Sequence, residues 1–101
     1  MIYMKINKTT ENDRLTVSIS GRIDTNTSPE LEQELKNSFD GCNELVLDFK
    51  DVEYISSAGL RVLLMSNKTM MSRGGMKLKN IAPDIMDILE MTGFSDIFDI
   101  E

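Results

Sequence analysis

Leu45, Val46 and Leu47, with Phe49 close behind, form a near-continuous apolar run. Such a run belongs to a strand covered on both faces, not to one wetted on alternate residues. Strands of this kind sit inside sheets whose parallel neighbours are joined by helical crossovers. The residues that follow agree with that. Leu60, Val62, Leu63, Leu64 and Met65 carry the apolar content of a helix, and Ser56 and Ser57 stand at its entrance. Both serines are good N-cap types, because their oxygens can accept a free amide hydrogen of the first turn. The same amides and the helix dipole favour an anion such as phosphate. A serine here can therefore be a structural cap, a phosphorylation site, or both.

The rest of the chain builds around this strand, loop and helix. Residues 2–6 predict a first strand, residues 7–13 a polar turn, and residues 15–19 a cleanly alternating second strand that pairs with the first as a hairpin. Gly21 breaks the pattern, and Arg22-Ile23-Asp24 leads into a polar loop. Thr27-Ser28-Pro29-Glu30 opens a helix, with Thr27 and Glu30 at capping-box spacing. Leu31, Leu35 and Phe39 make its apolar stripe, and Gly41 suits a left-handed stop. A strand over 44–49 follows. The next helix runs from Ser57 to Ser72, with Leu60, Leu63, Leu64, Met70 and Met71 on its buried face, and Arg73-Gly74-Gly75 ends it. Residues 76–81 alternate as a strand. Pro83 starts a third helix with Ile85, Ile88 and Leu89 on one face and Gly93 after its stop, and residues 97–100 return as a short edge strand. The order ββαβαβα plus a short final strand predicts an α/β fold, a mixed sheet packed with helices. It is expected to be one domain over residues 1–101.

Composition narrows the function. The net charge is −6 and the basic residues are not gathered into a stripe, which argues against direct binding of nucleic acid. No apolar run approaches the ~20 residues that span a bilayer, and the N-terminus lacks a signal-peptide core. The expectation is a cytoplasmic protein with no membrane contact. The single Cys42 excludes an internal disulfide and lies in a polar turn without basic neighbours, so it is expected to be inert. There is no histidine, which removes Ser-His and Cys-His nucleophile pairs and histidine metal ligands. Gly74-Gly75 lacks the lysine and spacing of a phosphate-binding loop. Asp48 and Asp51 are expected to edge a strand and solvate a turn. No catalytic residue, metal site or cofactor is expected. Of the eight methionines, Met65, Met70, Met86 and Met91 are expected at core or boundary positions.

Taken together, these segments resemble the STAS-domain family, the sulfate-transporter and anti-sigma-factor-antagonist domains, over nearly the whole chain. Gly21-Arg22-Ile23-Asp24 resembles the family's turn after the second strand. Leu47-Asp48-Phe49, Val52 and Tyr54-Ile55-Ser56-Ser57-Ala58-Gly59-Leu60 resemble its central motif. Asn80-Ile81-Ala82-Pro83, Leu89 and Thr92-Gly93-Phe94 resemble its last strand and helix. By size, the nearest subgroup is the single-domain anti-sigma factor antagonists. The resemblance implies a regulator that binds an anti-sigma factor with serine kinase activity, releases its sigma factor, and is switched off by phosphorylation. The alternative is an accessory subunit of another signalling or lipid-transport ATPase assembly. By motif position Ser57 matches the phosphoacceptor, and Asp24 matches an acid beside the partner surface. The family often has aspartate where this chain has Ser56, so Ser56 could compete as acceptor. The expected partner surface comprises Asp24, Thr25, Asn26, Ser56, Ser57 and Arg61.

Overall fold

Leu15 and Val17 pair in register with Leu45 and Leu47, which in turn pair with Met76 and Leu78. Side chains alternate along a strand, so this register sets all six on one face, and all six are buried. The computed structural model describes residues 4–41 and 43–101. Ile2 and Tyr3 of the predicted first strand, and Cys42, lie outside the described residues. The elements are β1 (Met4–Glu11), β2 (Arg14–Ile23), α1 (Ser28–Lys36), β3 (Glu44–Ile55), α2 (Ser57–Met71), β4 (Met76–Lys79), α3 (Pro83–Met91) and β5 (Asp99–Ile100). Short 3-10 turns occupy Phe39–Gly41 and Phe94–Asp96. The five strands form one sheet in the order β1-β2-β3-β4-β5. β1 runs antiparallel to β2, and the remaining pairings are parallel. This is the element order expected from the sequence.

All three helices feed one core. Leu31 and Leu35 come from α1, Leu60, Leu63 and Met70 from α2, and Ile85 and Leu89 from α3, joined by the strand residues named above. On the opposite sheet face Thr16, Ser18, Ser20, Lys77 and Lys79 are half-buried. Val46 is buried there between its register partners Thr16 and Lys77. The expectation of a strand covered on both faces therefore holds at Val46. No helix among the described residues is long and apolar enough to cross a membrane.

Several local expectations are corrected. β1 continues through Glu11, and the hairpin turns at Asn12, whose φ of 56° is a conformation asparagine tolerates. β3 continues to Ile55 because it bulges twice against β2, between the Ser18 and Ser20 pairings and between those of Gly21 and Arg22. Each bulge adds a residue to β3, so its core positions run Phe49, Val52, Ile55 in steps of three and escape an alternating pattern. Gly21 thus lies inside β2. Thr27 has helical backbone angles and makes no side-chain cap bond, so the capping box does not form. α1 ends at Lys36, and Gly41 does not take the left-handed region. Met71 and Met91 are exposed, at 73% and 85%, against the buried face expected for Met71 and the core or boundary position expected for Met91. Gly74 closes α2 as anticipated. Its φ is +139°, and a Cβ there would fall 1.5 Å from the Asn43 carbonyl oxygen, so only glycine fits.

Candidate functional site

In a parallel sheet, consecutive strands deliver the loops that follow them to the same edge. Ile23 ends β2 and Ile55 ends β3, and the two are register partners. The residues after them are held together by the Ser56 amide, which donates to the Ile23 carbonyl at 2.8 Å. The Asp24–Thr27 loop and the first turn of α2 are thereby brought side by side.

Gly59 lets α2 sit this close. It is buried in the first turn, and a Cβ there would lie 2.6 Å from Ile23 Cγ2, 2.8 Å from Ile55 Cγ1 and 3.3 Å from the Ile23 carbonyl oxygen. The helix start rests directly on the two strand ends.

The two serines divide their roles. Ser56 has extended backbone angles, φ −94° and ψ 173°, and its Oγ accepts from the Gly59 amide at 3.3 Å. Ser56 is the N-cap. Ser57 is the first helical residue, is exposed, and its hydroxyl has no hydrogen-bond partner among the described residues. Both serines carried capping chemistry in the sequence, and the backbone angle at Ser56 decides between them.

Asp24 faces its own loop. Its Oδ1 accepts from the Asn26 and Thr27 amides at 2.9 and 3.0 Å. The Thr27 hydroxyl accepts from the Asp24 amide at 2.8 Å and donates to the Arg22 carbonyl at 2.7 Å, and the Ser28 hydroxyl donates to the Asp24 carbonyl at 2.6 Å. The Thr27 amide, then that of Asn26, the Thr27 hydroxyl and the nearby Arg22, hold the Asp24 carboxyl below its ordinary value against a smaller opposing effect of burial. Asp24 shapes the loop on which Thr25 and Asn26 stand exposed.

Between the starts of α1 and α2 lies a cleft of about 310 Å³. Thr25, Ser28 and Pro29 line one side, and Ala58, Arg61 and Val62 the other. Of the expected surface residues, Thr25 and Arg61 share this cleft, Asp24 anchors its loop, and Ser56 and Ser57 stand at the helix entrance. Two residues at this end were not singled out from the sequence. Arg22 and Tyr54 are register partners, and the Arg22 guanidinium lies 4.2 Å from the centre of the Tyr54 ring. Both stand in the stretches that carry the family resemblance, one residue before each strand end, and neither was given a role there. No group of three or more acidic or thiol side chains among the described residues could hold a metal ion.

A model of the STAS domain matches residues 4–101. The chain belongs to the STAS-domain family. The anti-sigma-B factor antagonist of Bacillus subtilis (strain 168) is 36% identical over 94 residues, which make up 92% of this chain and 85% of that protein. The Bordetella bronchiseptica protein BtrV is 32% identical over 99 residues, 96% of this chain and 85% of its own. Among solved structures, an anti-sigma factor antagonist from Mycobacterium paratuberculosis superimposes with a TM-score of 0.89 at 26% identity, covering 97% of this STAS domain and 85% of that chain.

Proposed function

We propose that this STAS domain is a cytoplasmic, non-catalytic anti-sigma factor antagonist. It binds an anti-sigma factor that is also a serine kinase, through the Asp24–Thr27 loop and the entrance of α2, and so frees the sigma factor. Phosphorylation of Ser57 by that partner ends the binding. The naming of the relatives as antagonists supports the class. One observation carries the switch: Ser56 makes the cap, so the exposed Ser57 hydroxyl is left without a structural duty.

The physical balance favours a switch that leaves the fold intact. Phosphate adds about −1.5 to −2 charges, and a helix N-terminus accommodates negative charge by roughly 0.3–1 kcal/mol. Inside a packed interface the same dianion must be desolvated, and like-charge contact costs several kcal/mol. A loss of ~2.8 kcal/mol already lowers affinity a hundredfold.

Incubation with the candidate kinase and ATP, followed by mass spectrometry of the modified peptide, tests the assignment. Ser57→Ala should bind the partner and resist modification, and Ser57→Asp should stay folded and bind poorly. Modification of Ser56 instead, or wild-type affinity in Ser57→Asp, would overturn it.

A further inference from the structure

Arg61 follows Ser57 by four residues on α2, the spacing that places two side chains on the same helical face one turn apart. Arg61 is exposed, and in a chain of net charge −6 it makes no ion pair or hydrogen bond among the described residues. Glu32, the one acid lining the cleft with it, is paired elsewhere, with Lys36 at 3.0 Å. Ser57 is likewise exposed and unbonded. An uncommitted guanidinium therefore stands one turn beyond an uncommitted hydroxyl. The order is the favourable one for such a pair, negative group first and cation four residues later, because it agrees with the helix dipole.

We propose that Arg61 is a built-in receiver for the phosphate on Ser57. It would fold back along α2 to pair with the dianion and, in doing so, leave the cleft it lines with Thr25 and Ser28. The inference rests on Ser57 being the modified residue and adds a second action to the modification. Besides placing negative charge at the helix entrance, phosphate withdraws a cation from the α1–α2 cleft. Guanidinium suits this role, since its planar fork can give a phosphate two parallel N–H donors.

Phosphoserine installed at position 57 during synthesis allows a test that needs no kinase. The second ionisation of the phosphate is followed by phosphorus NMR at low salt, in the parent protein and in Arg61→Ala, Arg61→Lys and Lys68→Ala. Lys68 is a second exposed cation of α2, eleven residues beyond Ser57, and controls for net charge. Pairing stabilises the dianion, so the parent midpoint should lie below that of Arg61→Ala by about 0.15–0.4 pH units. Arg61→Lys should recover part of the difference and Lys68→Ala should leave the parent midpoint unchanged. Equal midpoints in the parent and Arg61→Ala would overturn the proposal, as would an equal displacement in Lys68→Ala. Selection of a residue other than Ser57 by the kinase would instead refute the functional reading above, a separate measurement that does not enter these midpoints.

Discussion

Gly59→Ala puts one methyl group where the helix entrance meets the strand ends. The new Cβ would stand 2.6 Å from Ile23 Cγ2 and 2.8 Å from Ile55 Cγ1. Neither atom is the free end of a flexible chain, and Ile23 and Ile55 are only 0% and 2% exposed, so neither can swing aside. Overpacking of this kind costs about 1–3 kcal/mol. Against it stands the helix preference of alanine over glycine, at most ~1 kcal/mol. The net is a destabilisation of roughly 1–2 kcal/mol, a fall in melting temperature of about 4–16 °C for a domain of this size. Calorimetry and denaturant titration of Gly59→Ala, Ile23→Ala and the double variant separate strain from propensity. Ile23→Ala removes Cγ2, and with it the closer clash. In that background Gly59→Ala should cost less, with the 2.8 Å contact to Ile55 remaining, giving a coupling between the sites of about 1 kcal/mol. If Gly59→Ala matches the wild-type melting temperature, or costs the same with and without Ile23, the contact account fails.

The division of labour between the serines predicts unequal stabilities: Ser56→Ala should lose a helix cap worth about 0.5–2 kcal/mol, while Ser57→Ala should stay within about 0.5 kcal/mol of wild type in the same denaturant titration. The loop and sheet carboxylates predict an acid limit. Thr27 and Asn26 amides hold Asp24 below its ordinary 3.8, and the Arg14 hydrogen bond at 2.6 Å, aided by Lys77, holds Glu44 below its ordinary 4.5. Since the unfolded chain takes up these protons first, the stabilisation is complete above about pH 5 and is lost as pH falls through the folded values. Denaturation midpoints should therefore drop between pH 5 and pH 3, and an unchanged drop in the Asp24→Asn, Glu44→Gln double variant would refute the attribution.

The sequence carried the fold most clearly where residues are packed on a regular period. Leu45, Val46 and Leu47, the Leu31 and Leu35 stripe and the Leu60, Leu63 and Met70 face are buried as their spacing implied. It was silent where structure breaks its own period. The two bulges of β3 shift the interior positions to Val52 and Ile55, so the strand outlasts the alternation that would announce it. β1 outlasts it for another reason: as an edge strand its Asn7–Glu11 stretch is exposed, and nothing there needs to be apolar. Thr27 shows the limit of local motifs. Its hydroxyl is already committed between the Asp24 amide and the Arg22 carbonyl, which leaves nothing to complete a capping box with Glu30. Met71 and Met91 fit the helical stripes by spacing, yet no element of the fold covers them. At the candidate site, residue type located the helix entrance but not the distinction between Ser56 and Ser57, which is written in a single ψ angle. Asp24 was legible as important, while its use as an internal brace required the positions of the Asn26 and Thr27 amides.

A cap made by Ser56 alone has a consequence for the lifetime of the protein. Were the cap and the modified hydroxyl one group, each phosphorylation would also change the fraction of unfolded chains and hence the rate at which proteases remove them. With the two on adjacent residues, phosphate on Ser57 would leave the cap in place, and the roughly 0.3–1 kcal/mol by which a helix N-terminus favours negative charge would lower the unfolded share of the modified form. Modification would then switch binding without exposing the modified copies to faster proteolysis.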